Sequence, residues 1–230
     1  MSHKKVEVKP ILTTEDRALA LKVFEKVYRK EKGWVHDPEK LMPVQDLSDT
    51  RMTWFGAFAG RRLVGVARVL YEIPAELYDK YDFKLTVADL DVKAFLAANH
   101  IAEVGRFAVL PRYRRNFRIA AALMRALGKD TLDKGFTHLI TDVFEADPNT
   151  PWGFHRRILG FRQVATHEAG ELHCQSRRIT MILDLREAER RLMGRNGWFF
   201  RFLNAETQPE ATVPHPPETA IKRQNLAMTS

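Results

Sequence analysis

The stretch Glu103 to Met124, EVGRFAVLPRYRRNFRIAAALM, limits what this chain can fold into more than any other part of it. Ile101 to Val109 is a run of branched and aromatic residues that reads as a strand and carries Glu103 and Arg106. A turn with Arg112, Arg114, Arg115 and Arg118 follows. Phe117 to Lys134 then reads as an amphipathic helix, with Phe117, Ala120, Ala121, Met124 and Leu127 on one face. A strand, a cationic turn and a helix N-terminus in that order make an anion site. The first N–H groups of a helix lack partners inside it, and its dipole attracts negative charge. Four arginines in seven residues ahead of an apolar helix favour phosphate contact over an ordinary solvated loop.

The rest of the chain alternates strand and helix patterns. Val6 to Leu12 reads as a short strand, and Thr13 or Thr14 caps a helix from about Glu15 to Lys30. Lys32 to Arg51 is a polar loop. Met52 to Ala59 and Leu63 to Tyr71 flank Gly60-Arg61 as a hairpin. Ile73 to Asn99 is expected to hold one or two short helices. Thr137 to Phe144 reads as a strand, Pro151 to Leu159 as a short helix, Phe161 to His167 and Arg178 to Leu185 as paired strands, and Arg186 to Leu203 as a closing helix. Residues 204–230 contain four prolines and no Phe, Trp or Tyr, so they are expected to form a poorly ordered tail after a single domain over 1–203. The fold class expected is α/β: a central mixed β-sheet with helices on both faces.

These residues resemble the GNAT acyltransferase superfamily. An acid, two residues, Arg-Phe on a strand and a basic loop into a helix look like its central motif. The likeness is to the acyl-chain branch of acyl-homoserine lactone synthases and long-chain N-acyl amino acid synthases. Tyr28 and Trp34 in VYRKEKGW, with Asp46 and Asp49 in QDLSD, resemble that branch's substrate-side pattern, and Arg68 in the hairpin stands at its usual arginine. NTPWGFHRRILGF, beginning at Asn149, resembles the superfamily's second motif. The resemblance covers roughly residues 6–203. It implies a GNAT fold and donor binding by Phe107, Ala108, Val109, Leu110, Arg112, Arg114, Arg115, Asn116, Phe117, Arg118, Ile119 and Asn149. It further implies an acceptor side lined by Tyr28, Trp34, Asp46, Asp49 and Arg68. Three departures stand out. Phe24 occupies the place of an acceptor-side arginine of lactone synthases. Arg118 and Ala120 replace glycines of the carrier-phosphate turn. Arg156, beside His155, replaces the tyrosine that often protonates the leaving thiolate.

Acyl transfer to an amine needs a base, because a free amine is largely protonated near neutrality. Glu103 is the candidate. Ile101, Glu103, Gly105, Phe107 and Val109 share one face of a regular strand, and Glu103 is the charged group among them. A buried carboxylate must meet water, a cation or the substrate amine, so a structural ion pair with Arg68 or Arg106 is the competing reading. Arg106, three residues on, reaches the same site only across a β-bulge. Backbone N–H groups near Ala108 to Leu110 are expected to hold the oxyanion.

With 37 basic and 29 acidic residues the net charge is +8, which suits acidic partners without choosing among them. Stacking aromatics are not interleaved with the basic loop, so no nucleic acid is expected. One cysteine, Cys174, favours a reducing compartment, and the N-terminal residues lack the apolar run of a signal peptide. A cytoplasmic protein without a transmembrane segment is expected. His167, His173 and Cys174 lack a fourth ligand at metal-site spacing, so no metal is expected. The resemblance implies acyl-ACP or acyl-CoA as donor, a small-molecule amine such as an amino acid as acceptor, and an acidic acyl carrier protein as a partner. The leading reading is an N-acyl amino acid synthase. The alternatives are a lactone synthase using S-adenosylmethionine, which Phe24 opposes, and a non-catalytic acyl-carrier or nucleic-acid binding module on the same scaffold.

Overall fold

The computed structural model describes residues 6–71, 73, 81–88, 90–114, 117–147 and 150–194. Arg115, Asn116, Asn149, the end of the closing helix and the 204–230 tail lie outside the described residues. The chain runs β1 (Val6–Pro10), α1 (Thr14–Phe24), β2 (Met52–Ala59), β3 (Arg62–Leu70), β4 (Lys84–Leu85) and α2 (Val92–Ala98). It continues through β5 (Ile101–Val109), α3 (Arg118–Asp133), β6 (His138–Phe144), α4 (Trp152–Phe154), β7 (Arg162–His167), β8 (Arg178–Asp184) and α5 (Leu185–Gly194). The strands form an eight-stranded sheet in the order β1-β2-β3-β5-β6-β8-β7-β4. Every neighbouring pair is antiparallel except β5 and β6. The expected α/β class and mixed sheet are thus present. β4 stands where the sequence pattern suggested only helices.

Helices cover both faces. Thr13 caps α1, its hydroxyl accepting from the Asp16 N–H at 3.1 Å. After Phe24 the helix widens into a π-helical turn, Glu25–Glu31, which turns both Val27 and Tyr28 into the core. Phe24, 0% exposed, packs edge-on against Tyr28 and Trp54 over the β2–β3 hairpin. On the other face α3 lies over Gly65, where an added Cβ would stand 3.1 Å from Leu123 and 3.2 Å from Ile119. Helix and strand approach closely there because that position has no side chain.

The parallel junction is short. β5 and β6 pair at Ile101–His138, Ala102–Leu139 and Glu103–Ile140, and no farther. Just beyond, the Thr141 hydroxyl donates to the Val104 carbonyl at 2.8 Å, a side chain doing a ladder's work. From there the two strands part.

Candidate active site

β5 carries a bulge, the irregularity that Arg106 needs to share a site with Glu103. Val66 pairs with Ala108 but Arg68 with Gly105, so one extra β5 residue is accommodated between them. Arg106 has φ of 52°, the left-handed region that a side chain seldom enters. The irregularity brings the Arg106 and Glu103 side chains to the wall of the same cavity.

That cavity holds about 600 Å³ and is lined from both faces of the sheet. Arg68, Glu103, Ile140, Asp142 and Thr180 come from one face. Val104, Thr141 and Val143 come from the other, joined by Phe117 and Ala120 of the α3 region and by Phe154 and His155. It therefore reaches through the sheet where β5 and β6 separate.

Glu103 is held by Arg68, whose Nη2 donates to Oε1 at 3.0 Å. The glutamate side chain is 28% exposed and the arginine 14%. The carboxylate lies over Gly105, where a Cβ would stand 2.7 Å from Oε1. Arg106 pairs with Glu171 of the β7–β8 loop. The Nε atoms of Arg68 and Arg106 are both buried without a hydrogen-bond partner among the described residues, leaving two cationic donors unused. Tyr28 donates to the Phe107 carbonyl at 3.3 Å, and burial pushes its hydroxyl up to about 12 even though Arg106 and Arg68 pull it down, so it is a neutral donor. Trp34 packs edge-on against Tyr28 at 5.5 Å, and both line the cavity.

The other expected residues divide between the cavity and its surroundings. Asp46 accepts from Trp54 Nε1 at 3.1 Å and does not line the cavity. Its burial raises its pKa against the lowering effect of that hydrogen bond. The Trp54 ring lies 5.9 Å from the Arg68 guanidinium, so Asp46 touches the site through an intermediary. Asp49 is engaged by Arg51, whose hydrogen bonds hold its carboxyl down at about 2. Phe107, Ala108 and Val109 line the cavity, whereas Leu110 is buried in the core beside it. Arg114 lines the cavity but donates to the Val109 carbonyl at 2.7 Å and to Glu31 at 2.8 Å, so it braces the turn. Arg112 lies exposed over the Tyr113 ring, Arg118 is exposed, and Ile119 is buried on the face of α3 that meets Gly65.

The wall also contains Asp142, Thr180, Arg178 and Lys32, which the sequence did not single out, and His167, which it weighed only as a metal ligand. Asp142 accepts from Thr180 Oγ1 at 2.8 Å and meets His167 Nε2 at 2.9 Å, while His167 Nδ1 donates to the Ala169 carbonyl at 2.7 Å. Arg178, 3% exposed, donates to the carbonyls of Glu168 and Leu172 and fixes the loop that presents Glu171. Lys32 pairs with Asp147 across the opening of the strands. Only long-range strand pairing assembles these residues, so no local spacing marks them.

The acetyltransferase (GNAT) family pattern matches residues 18–161. The chain belongs to that family. This GNAT enzyme is similar in structure to FeeM, an N-acyl amino acid synthase from uncultured soil microbes, at 19% identity over 81% of this chain and 94% of that one, with a TM-score of 0.61. It is also similar to an N-acetyltransferase from Staphylococcus aureus, at 14% identity over 79% and 99% and a TM-score of 0.57. An aminoglycoside 6'-acetyltransferase type Ii is matched at 14% over 78% and 97%, with a TM-score of 0.55. At such identities the likeness speaks to the fold. Comparison by sequence with curated proteins finds no significant match. As a GNAT N-acyltransferase the enzyme joins an acyl group to an amine, and the bulged strand with its carboxylate lies at the seam of the sheet.

Proposed function

We propose that this GNAT enzyme transfers an acyl chain from a phosphopantetheine thioester to the amine of an amino acid. One observation carries the reading: Glu103 and two arginines with unused donors share a cavity that reaches through the sheet to Phe117 and the start of α3. The donor's phosphates meet the cationic turn around Arg112 and Arg118 at the α3 N-terminus, and its arm lies in the gap between β5 and β6. The acceptor enters on the opposite face, where its carboxylate takes the Nε–H donors of Arg68 and Arg106.

The amine nitrogen attacks the thioester carbonyl carbon, and Glu103 removes its proton, directly or through one water. Arg68 holds the carboxylate in place. The tetrahedral oxyanion is met by backbone N–H groups past the bulge, near Ala108 to Leu110. As the intermediate collapses the C–S bond breaks, the amide remains, and the thiolate takes up a proton.

The test combines mass spectrometry of lipids accumulated on expression in a bacterial host with steady-state assays of amino acids against acyl-CoA and acyl-carrier-protein donors. New N-acyl amino acids and thiol release are expected. Release of methylthioadenosine from S-adenosylmethionine would point to lactone synthesis instead, and tight donor binding without thioester cleavage would mean a binding module.

A further inference from the structure

Asp142 lines the cavity, and the proposed acyl transfer leaves it idle. It shares a sheet face with Glu103, because Glu103 pairs with Ile140 and Asp142 follows two residues on. Its side chain is 37% exposed, whereas the His167 ring it meets is fully buried, with Tyr81 and Phe83 packed against it at 5.7 and 4.4 Å. Hydrogen bonding alone fixes the charge of this pair. His167 Nδ1 faces the Ala169 carbonyl, which can only accept, so that nitrogen carries a proton. Nε2 lies 2.9 Å from Asp142 Oδ2, and two lone pairs do not meet at that separation without a proton between them. Imidazolium on carboxylate or neutral ring on acid, the pair is neutral as a whole.

The surroundings add a positive charge. Lys32, Arg68, Arg106 and Arg114 each pair with a carboxylate. Arg178, which stands beside His167 across β7 and β8, donates to the Glu168 and Leu172 carbonyls and pairs with no carboxylate among the described residues. A cationic group is therefore unwelcome near Asp142. The carboxyl group has acceptor capacity to spare, since Thr180 and His167 take one site on each oxygen out of about four. An aliphatic group laid over it would strip its water and return no hydrogen bond. A neutral donor meets every condition. We propose that Asp142 selects the acceptor by its side chain, accepting a hydrogen bond from a hydroxyl or amide N–H there. The inference rests on the proposed amino acid acceptor and adds its side-chain class. Glu103 takes the reacting amine, and Arg68 and Arg106 take the carboxylate, so the side chain is the substituent left for Asp142.

Matched acceptors test this role. Serine against alanine, threonine against valine, glutamine against methionine and tyrosine against phenylalanine differ mainly in the donor group. In the wild type, at least one polar acceptor is expected to exceed its partner about tenfold or more in kcat/KM, because a site built to accept a hydrogen bond rejects the analogue that lacks it. Arginine is expected to fall below glutamine. In Asp142→Leu the members of the preferred pair are expected to converge to within about twofold, the polar acceptor losing rate and its apolar partner holding. Equal losses for both members would make Asp142 merely structural and overturn the proposal. Equal rates within all four pairs in the wild type, a comparison that needs no variant to fold, would overturn it too, as would arginine exceeding glutamine. Turnover of other amines but of no amino acid would remove the proposed acceptor and this inference together. Amino acid turnover without discrimination would remove this inference alone.

Discussion

On the proposed reading, Glu103 and its two neighbours, Arg68 and Gly105, carry the chemistry at the smallest scale. Glu103→Gln keeps the shape and removes the base, so kcat is expected to drop about 100-fold or more while donor affinity measured by calorimetry stays within error. Gly105→Ala is the subtler probe. Its Cβ would crowd Oε1 from 2.7 Å, and a flexible side-chain end can retreat, so the fold survives. The carboxylate is displaced from Arg68, so turnover is expected to fall in a variant whose thermal midpoint is nearly native. A variant with full activity would detach the carboxylate's position from the reaction. Histidines set the response of stability to acid. Burial lowers the pKa of both His138 and His155 from the ordinary 6.5, so the unfolded chain takes up their protons first. Their contribution to stability is complete above about 6.5 and is lost as pH falls toward the depressed folded values. Thermal melts between pH 8 and 5 are expected to show this decline, with a shallower slope in His155→Gln.

Among the elements, α1 with its π-helical turn shows why the lactone-synthase pattern stops short. Phe24 is fully buried between Tyr28 and Trp54. Phe24→Arg would place a charge there without a partner and is expected to cost at least about 3 kcal/mol, which calorimetry would register as a melting point lower by roughly 6 °C or more. The element plan was legible in the sequence where patterns are local. The β2–β3 hairpin, β5, α3 and the β7–β8 pair follow from alternation, helical period and turn residues. The bulge was legible only as a condition, because Glu103 and Arg106 cannot share a site on a regular strand. The π-helical turn was not, since apolar spacings of three and four fit it as well as an α-helix. β4, two residues long, is too short to leave a pattern. Part of the cavity wall was hidden for another reason. Asp142, Arg178 and Thr180 on β6 and β8 look like a solvated face until the sheet order brings them opposite Glu103. Asp46 and Asp49 matched a motif by position, yet nearby Trp54 and Arg51 engage them.

For the molecule as a whole, the charge of +8 predicts how donors arrive. The affinity of a phosphate-bearing donor is expected to fall as ionic strength rises, and that of a neutral truncated thioester to change little. Fluorescence titrations between low and physiological salt would read the difference, and parallel slopes would remove the exposed arginines Arg112 and Arg118 from donor capture. Only three residue pairs of strand ladder, helped by the Thr141–Val104 hydrogen bond, join β1-β2-β3-β5 to β6-β8-β7-β4 among the described residues. On the proposed reading a donor arm lying there supplies a missing rung. A loaded enzyme is then expected to be stiffer than an empty one, with amide exchange at Gly105 to Val109 slowing once the seam is filled and the amine meeting a completed berth after the thioester has landed.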